Sequence, residues 1–158
     1  MANIFSPQEI LNIAVKVEEA GEKFYEMMER KAKDEKLKAM WKYLKEQEQE
    51  HRKIFKAMYE DVASYVVYEY SSGQYDSYLN SIACEYIFTQ ELIAQKLKEK
   101  FDSSVGAIEF GIYIEKGSIL TYSALKKYIV EDKQGVIDKV ISEEEKHLTS
   151  LVEMKSNA

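Results

Sequence analysis

Cysteine is nearly absent. The 158 residues contain one, Cys84, so no disulfide can close within the chain and no Cys-x-x-Cys metal knuckle can form. A lone thiol fits a reducing compartment, where it reads as a small buried hydrophobe. Proline occurs once, at Pro7, and glycine six times. A β-sandwich or barrel would need many more turn residues. No apolar run approaches the roughly 20 residues needed to cross a bilayer. The opening "MANIFSPQEI" lacks the basic stretch and apolar run of a secretory signal. Basic residues are outnumbered, 22 Lys and Arg against 28 Asp and Glu, for a net charge of -6. Such a chain is not drawn to nucleic-acid phosphates or anionic membranes, although it attracts cations. A cytoplasmic protein without nucleic-acid or membrane partners is expected.

What is present points to helices. Apolar residues make up 46% and charged residues 32%, a globular balance. The length suits a single domain, residues 1–158, with one core. Abundant Glu, Lys, Leu and Ala predict an all-α fold. The first helix opens at "SPQE", with Ser6 as cap, Pro7 in the first turn and Glu9 completing a capping box, and runs to about Lys31. The second runs from a cap at Asp34 to about Tyr59. A connector with a Ser-Ser-Gly break at 71–73 follows, and residues 78 to about 100 read as an accessory helix. The third helix spans about 104 to 130 and the fourth about 133 to 155. Two helical hairpins joined by a long crossover predict an up-down-down-up four-helix bundle.

Bundle-facing positions recur in steps of three and four. In the first helix they are Leu11, Ala14, Glu18, Gly21, Tyr25 and Met28. The second offers Leu37, Trp41, Leu44, Glu48, His51, Phe55 and Met58. The third gives Ile108, Gly111, Glu115, Ser118, Tyr122, Leu125 and Ile129, and the fourth Ile137, Val140, Glu144, His147, Leu151 and Met154. Each apolar stripe thus carries one glutamate near its middle. The second and fourth add a histidine one turn later on the same face, and these are the only two histidines in the chain. Unpaired buried carboxylates cost several kcal/mol per ion. Two divalent cations would neutralise four of them, and carboxylate with imidazole suits iron or manganese.

The halves also repeat. "NIAVKVEEAGEKFYEMM" aligns with "EFGIYIEKGSILTYSAL" at an offset of 97, pairing Glu18 with Glu115 and Tyr25 with Tyr122. "EQEQEH" aligns with "ISEEEKH" at an offset of 96, pairing Glu48 with Glu144 and His51 with His147.

Four segments, "EEAGEKFY", "EQEH", "EKGSILTY" and "EEKH", resemble the rubrerythrin-type di-iron domain of the ferritin-like superfamily. The resemblance implies a ferritin-like bundle holding two iron ions, with a mixed iron–manganese pair or other divalent transition metals as alternatives. It implies Glu18 and Glu115 as terminal carboxylates, Glu48 and Glu144 as bridges, and His51 and His147 as one ligand to each metal. Tyr25 and Tyr122 would lie beside the site in a catalytic role, or serve as core aromatics with a hydroxyl partner. Two features depart from the family. The four-cysteine rubredoxin-like module is missing, so electrons must come from an external donor such as a separate rubredoxin-like protein. Ser118 stands where rubrerythrins tend to carry an extra glutamate, so the six-residue set is closer to a bacterioferritin ferroxidase centre.

Three functions follow as expectations. The first is an oxidoreductase that reduces peroxide or O2 while oxidising Fe(II). A ferroxidase or iron-handling protein without a separate substrate is the second. The third is an interaction module whose metal is structural or absent. Tyrosines at 65, 68, 70, 75 and 78 are unusual for a connector; they pack over the bundle or line the interface of a homodimer, the expected assembly.

Overall fold

The computed structural model describes residues 7–65, 81, 95 and 104–158. Among them are α1 (Pro7–Lys31), α2 (Glu35–Glu60), a one-turn α3 (Val62–Tyr65), α4 (Ser104–Leu125) and α5 (Gln134–Ser156), with no strand. None of these helices is long and apolar enough to cross a membrane.

Local chemistry sets several of the ends. Arg30 and Lys31 close α1, where cations suit the helix dipole. Asp34 has extended backbone geometry, and its Oδ1 accepts the Leu37 N–H at 2.8 Å, capping α2 as its position predicts. The expected cap Ser6, Cys84 and all of the accessory helix at 78–100 except Ser81 and Gln95 lie outside the described residues.

The third helix is shorter than expected. It ends at Leu125 rather than near 130, giving way to a 3-10 turn at Lys126–Tyr128 and extended backbone at Ile129. Ile129 and Val130 are β-branched and favour extended geometry. The Val130 N–H donates to the Tyr65 carbonyl at 2.8 Å, a bond that helix continuation would forbid. Ile129 stays buried, so spacing alone could not reveal the break. Tyr65 packs against the bundle end there, with the Lys133 ammonium 5.5 Å above its ring.

Two apolar clusters plug the bundle, one at each end. Leu11, Phe55, Met58, Leu125, Ile129 and Ile137 belong to the first. Met28, Trp41, Leu44, Ile108 and Leu151 belong to the second. Following the chain between clusters gives the topology. The helix α1 runs from the first to the second, α2 returns, α4 runs from the second to the first, and α5 returns. This is the up-down-down-up order. The end of α2 and the start of α4 lie at opposite ends of the bundle, as a crossover requires.

All stripe positions are buried except Leu37 and Met154, which are half-buried near the ends. The helix α4 buries more than its stripe. Ala107, Phe110, Ile112, Ile114 and Ala124 are buried as well, so it is apolar around most of its circumference, with an exposed polar line at Glu109, Lys116 and Ser123.

Candidate metal centre

Between the two apolar plugs lies a polar belt. Glu18 and Tyr25 come from α1, Glu48 and His51 from α2, Glu115 and Tyr122 from α4, and Glu144 and His147 from α5. Every one of these side chains is at most 1% exposed. The structure therefore brings together all eight residues singled out in the sequence. Two subsets, Glu48 with Glu115, Glu144 and His147, and Glu18 with His51 and Glu144, have donor atoms within 4.8 Å of one another.

Glu144 is the hub. Its two oxygens reach different imidazoles, Oε1 at 3.0 Å from His51 Nδ1 and Oε2 at 3.0 Å from His147 Nδ1. The two rings lie face to face, 5.8 Å between centroids. Glu18 Oε2 stands 3.6 Å from His51 Nδ1, and Glu115 Oε2 stands 3.7 Å from His147 Nδ1. Each histidine thus turns Nδ1 toward one terminal and one central carboxylate. The tyrosines cross between helices: Tyr25 donates its hydroxyl to Glu115, and Tyr122 donates to Glu18.

Crowding four carboxylates into this volume perturbs them all. Burial pushes Glu18 up, reinforced by the charge of Glu144. Burial raises Glu48 well above the ordinary range, with Glu18 and Glu144 adding repulsion. Glu115 is raised well above it too, by burial and Glu144. Glu144 goes the other way: burial pushes it up, but hydrogen bonds from His147 and His51 more than reverse this and hold it below the usual range. Burial lowers His51 and His147, yet hydrogen bonds and charge from their carboxylates win and lift them to about 11 and about 9. Burial, then the carboxylates beside them, keep both tyrosines protonated as donors.

The belt remains short of partners. Both Glu48 oxygens, Glu18 Oε2 and Glu115 Oε2 are buried without a hydrogen bond among the described residues. A buried acceptor left unsatisfied costs about 1–3 kcal/mol. These orphaned oxygens fit a pair of divalent cations, which would meet acceptors that no protein donor reaches.

A family model for rubrerythrin matches residues 9–155. The chain belongs to the rubrerythrin family. A crystal structure of a ferritin-like diiron-carboxylate protein from Thermotoga maritima aligns with 96% of this chain and 95% of its own, at 27% identity and a TM-score of 0.68. No curated protein matches. Rubrerythrin membership and the ferritin-like fold, expected from the four glutamate-bearing segments, therefore stand.

Two residues of this rubrerythrin-family site escape the sequence patterns. Gly21 lies in the stripe of α1, and a Cβ there would come within 2.6 Å of Glu48 Oε2. Glycine in a helix interior costs about 0.5–1 kcal/mol relative to alanine, so its presence here makes room for a carboxylate. The signal was a lone glycine in a stripe of large residues. Glu143 is the other. It hides in the run Glu143–Glu144–Glu145, and its Oε2 lies 2.8 Å from His51 Nε2. Ser118 uses its hydroxyl within its own helix, donating to the Ile114 carbonyl at 3.2 Å.

Proposed function

We propose that this protein is a di-iron carboxylate oxidoreductase that reduces hydrogen peroxide or O2, with Glu18, Glu48, His51, Glu115, Glu144 and His147 holding the metals. The buried carboxylates, with oxygens that no donor among the described residues reaches, carry this reading. Glu144 suits a bridging role because its two oxygens already face the two imidazoles, and Glu48 has both of its oxygens free to do the same. A bound ferrous pair would supply two electrons, one from each ion, which with two protons convert hydrogen peroxide to two waters. Tyr25 and Tyr122 hold protons at their hydroxyl oxygens and point them at the terminal carboxylates. The apolar plugs above and below the belt exclude water and keep the side chains in place. An external donor, such as a separate rubredoxin-like protein, restores the electrons.

The test uses iron-loaded protein, reduced without oxygen and mixed with peroxide. Oxidation much faster than in the Glu48→Ala, Glu144→Ala double variant supports the proposal; equal rates overturn it. Ser118, in place of an extra carboxylate, favours a second reading in which the centre is a ferroxidase and Fe(II) is itself the substrate. Repeated turnover on adding reductant, without further iron, distinguishes the first reading from the second.

A further inference from the structure

We infer that the two cation positions are unequal, because Glu143 orients and charges the His51 half while a neutral residue, Gln47, holds the corresponding place in the His147 half. This inference rests on the dinuclear reading above.

Both imidazoles turn Nδ1 inward to Glu144. They differ at the opposite ring nitrogen. His51 Nε2 is 2.8 Å from Glu143 Oε2, and the Glu143 side chain is 28% exposed. Glu143 sits one residue before the hub glutamate on α5 and reaches across to α2. When a cation displaces the Nδ1 proton, a carboxylate at Nε2 keeps the other hydrogen there, so that the freed Nδ1 lone pair faces the cation. It also adds negative charge behind the ring and makes the nitrogen a stronger donor to a cation.

The His147 half lacks this arrangement. His147 Nε2 is buried and has no hydrogen-bond partner among the described residues. The offset of 96 that pairs His51 with His147 pairs Glu143 with Gln47, one residue before Glu48 on α2. Gln47 is half-buried, and its amide carries no charge. Tyr43 packs edge-on against the His147 ring at 5.7 Å. Glu144 serves both halves and Glu48 groups with Glu115 and His147, but among the described residues only the His51 half has a carboxylate, Glu143, behind its ring. The first cation settles beside His51 and the second, more weakly, beside His147. Outer partners of metal-binding histidines change affinity by about 10–100-fold, which sets the expected gap between the two steps.

The chain has two histidines, so nitrogen-15 labelling of histidine gives one ring system for each half. Zinc chloride alone is titrated into metal-free protein, with the rings assigned through a His147→Gln variant. The expected result is that His51 Nδ1 shifts over the first equivalent and His147 Nδ1 over the second. Glu143→Gln should make the rings shift together, with the first binding step weakened about 10–100-fold. Gln47→Glu should tighten the second step. Parallel shifts in the unaltered protein, or an unchanged order in Glu143→Gln, would overturn the inference while leaving the dinuclear reading intact. If zinc moves neither ring, both fall.

Discussion

The α1–α2 hairpin and the α4–α5 hairpin each contribute a lone glutamate, a Glu-x-x-His pair and a tyrosine, yet their surroundings differ. Glu48 and Glu144 occupy matching places, but Glu144 engages two imidazoles while both Glu48 oxygens lack a hydrogen-bond partner among the described residues. Gly21 clears space for Glu48, whereas its counterpart at an offset of 97 is Ser118. Tyr25 stacks on Trp41 at 5.7 Å, while Tyr122 tilts against Phe55 at 4.8 Å. The repeat holds for groups aimed at the centre and lapses for those one residue or one turn away. Unequal neighbours can therefore make two chemically similar half-sites behave differently.

The sharpest break in that comparison is Glu144→Ala against Glu48→Met. Removing the hub takes the 3.0 Å partner from Nδ1 of both buried imidazoles, so Glu144→Ala should lose both metals and destabilise the metal-free protein by about 3–5 kcal/mol. Glu48→Met should also lose metal but raise metal-free stability by about 1–3 kcal/mol, since it removes acceptors without donors. Urea unfolding with elemental analysis measures both. Equal destabilisation by the two variants would contradict the division of labour.

Next comes pH. Glu18, Glu48 and Glu115 are raised in the folded chain, so what they contribute is fully present below about pH 4.5 and lost as pH rises through their folded values. The imidazoles contribute fully below about 6.5, and this is lost through about 9 for His147 and about 11 for His51. Glu144 is lowered and acts oppositely: its contribution is present above 4.5 and lost on acidification. From pH 6.5 to 9 the metal-free protein should lose stability. Over the same window metal affinity should rise, because ligands must release protons to bind. Thermal unfolding of both forms checks the opposite slopes. Parallel slopes would mean that the cation does not replace those protons.

A smaller effect compares Gly21→Ala with Ser118→Ala. The first should weaken metal binding about 10-fold or more by displacing Glu48, within the range for residues that orient ligands. The second should change affinity little, because the Ser118 hydroxyl donates to a carbonyl of its own helix. Equal effects in calorimetric titrations would show that the crowding at Gly21 is relieved without moving Glu48.

Much of this was legible in sequence because bundle helices repeat their inward positions. A glutamate in step with Leu11 and Ala14, or a histidine in step with Leu44 and Phe55, must point inward if the helix forms. The residues that tune the centre were less visible. Glu143 lies out of step with its stripe, in a run of three glutamates, and only the packing of α5 on α2 gives it a histidine. The end of the third helix was hidden because Ile129 keeps its buried place after the helix stops. The apolar outer face of α4 falls outside the seven stripe positions, so periodicity had no reason to count it.

The central claim is that six inward side chains from four helices hold a pair of cations. Anomalous diffraction at the iron edge, from crystals loaded with Fe(II) under anaerobic conditions, tests it most directly. Two peaks are expected, one beside Glu18 and His51 and one beside Glu115 and His147, with Glu48 and Glu144 between them. No peak in the belt at saturating iron, or iron found only on the outer faces of the helices, would contradict the account.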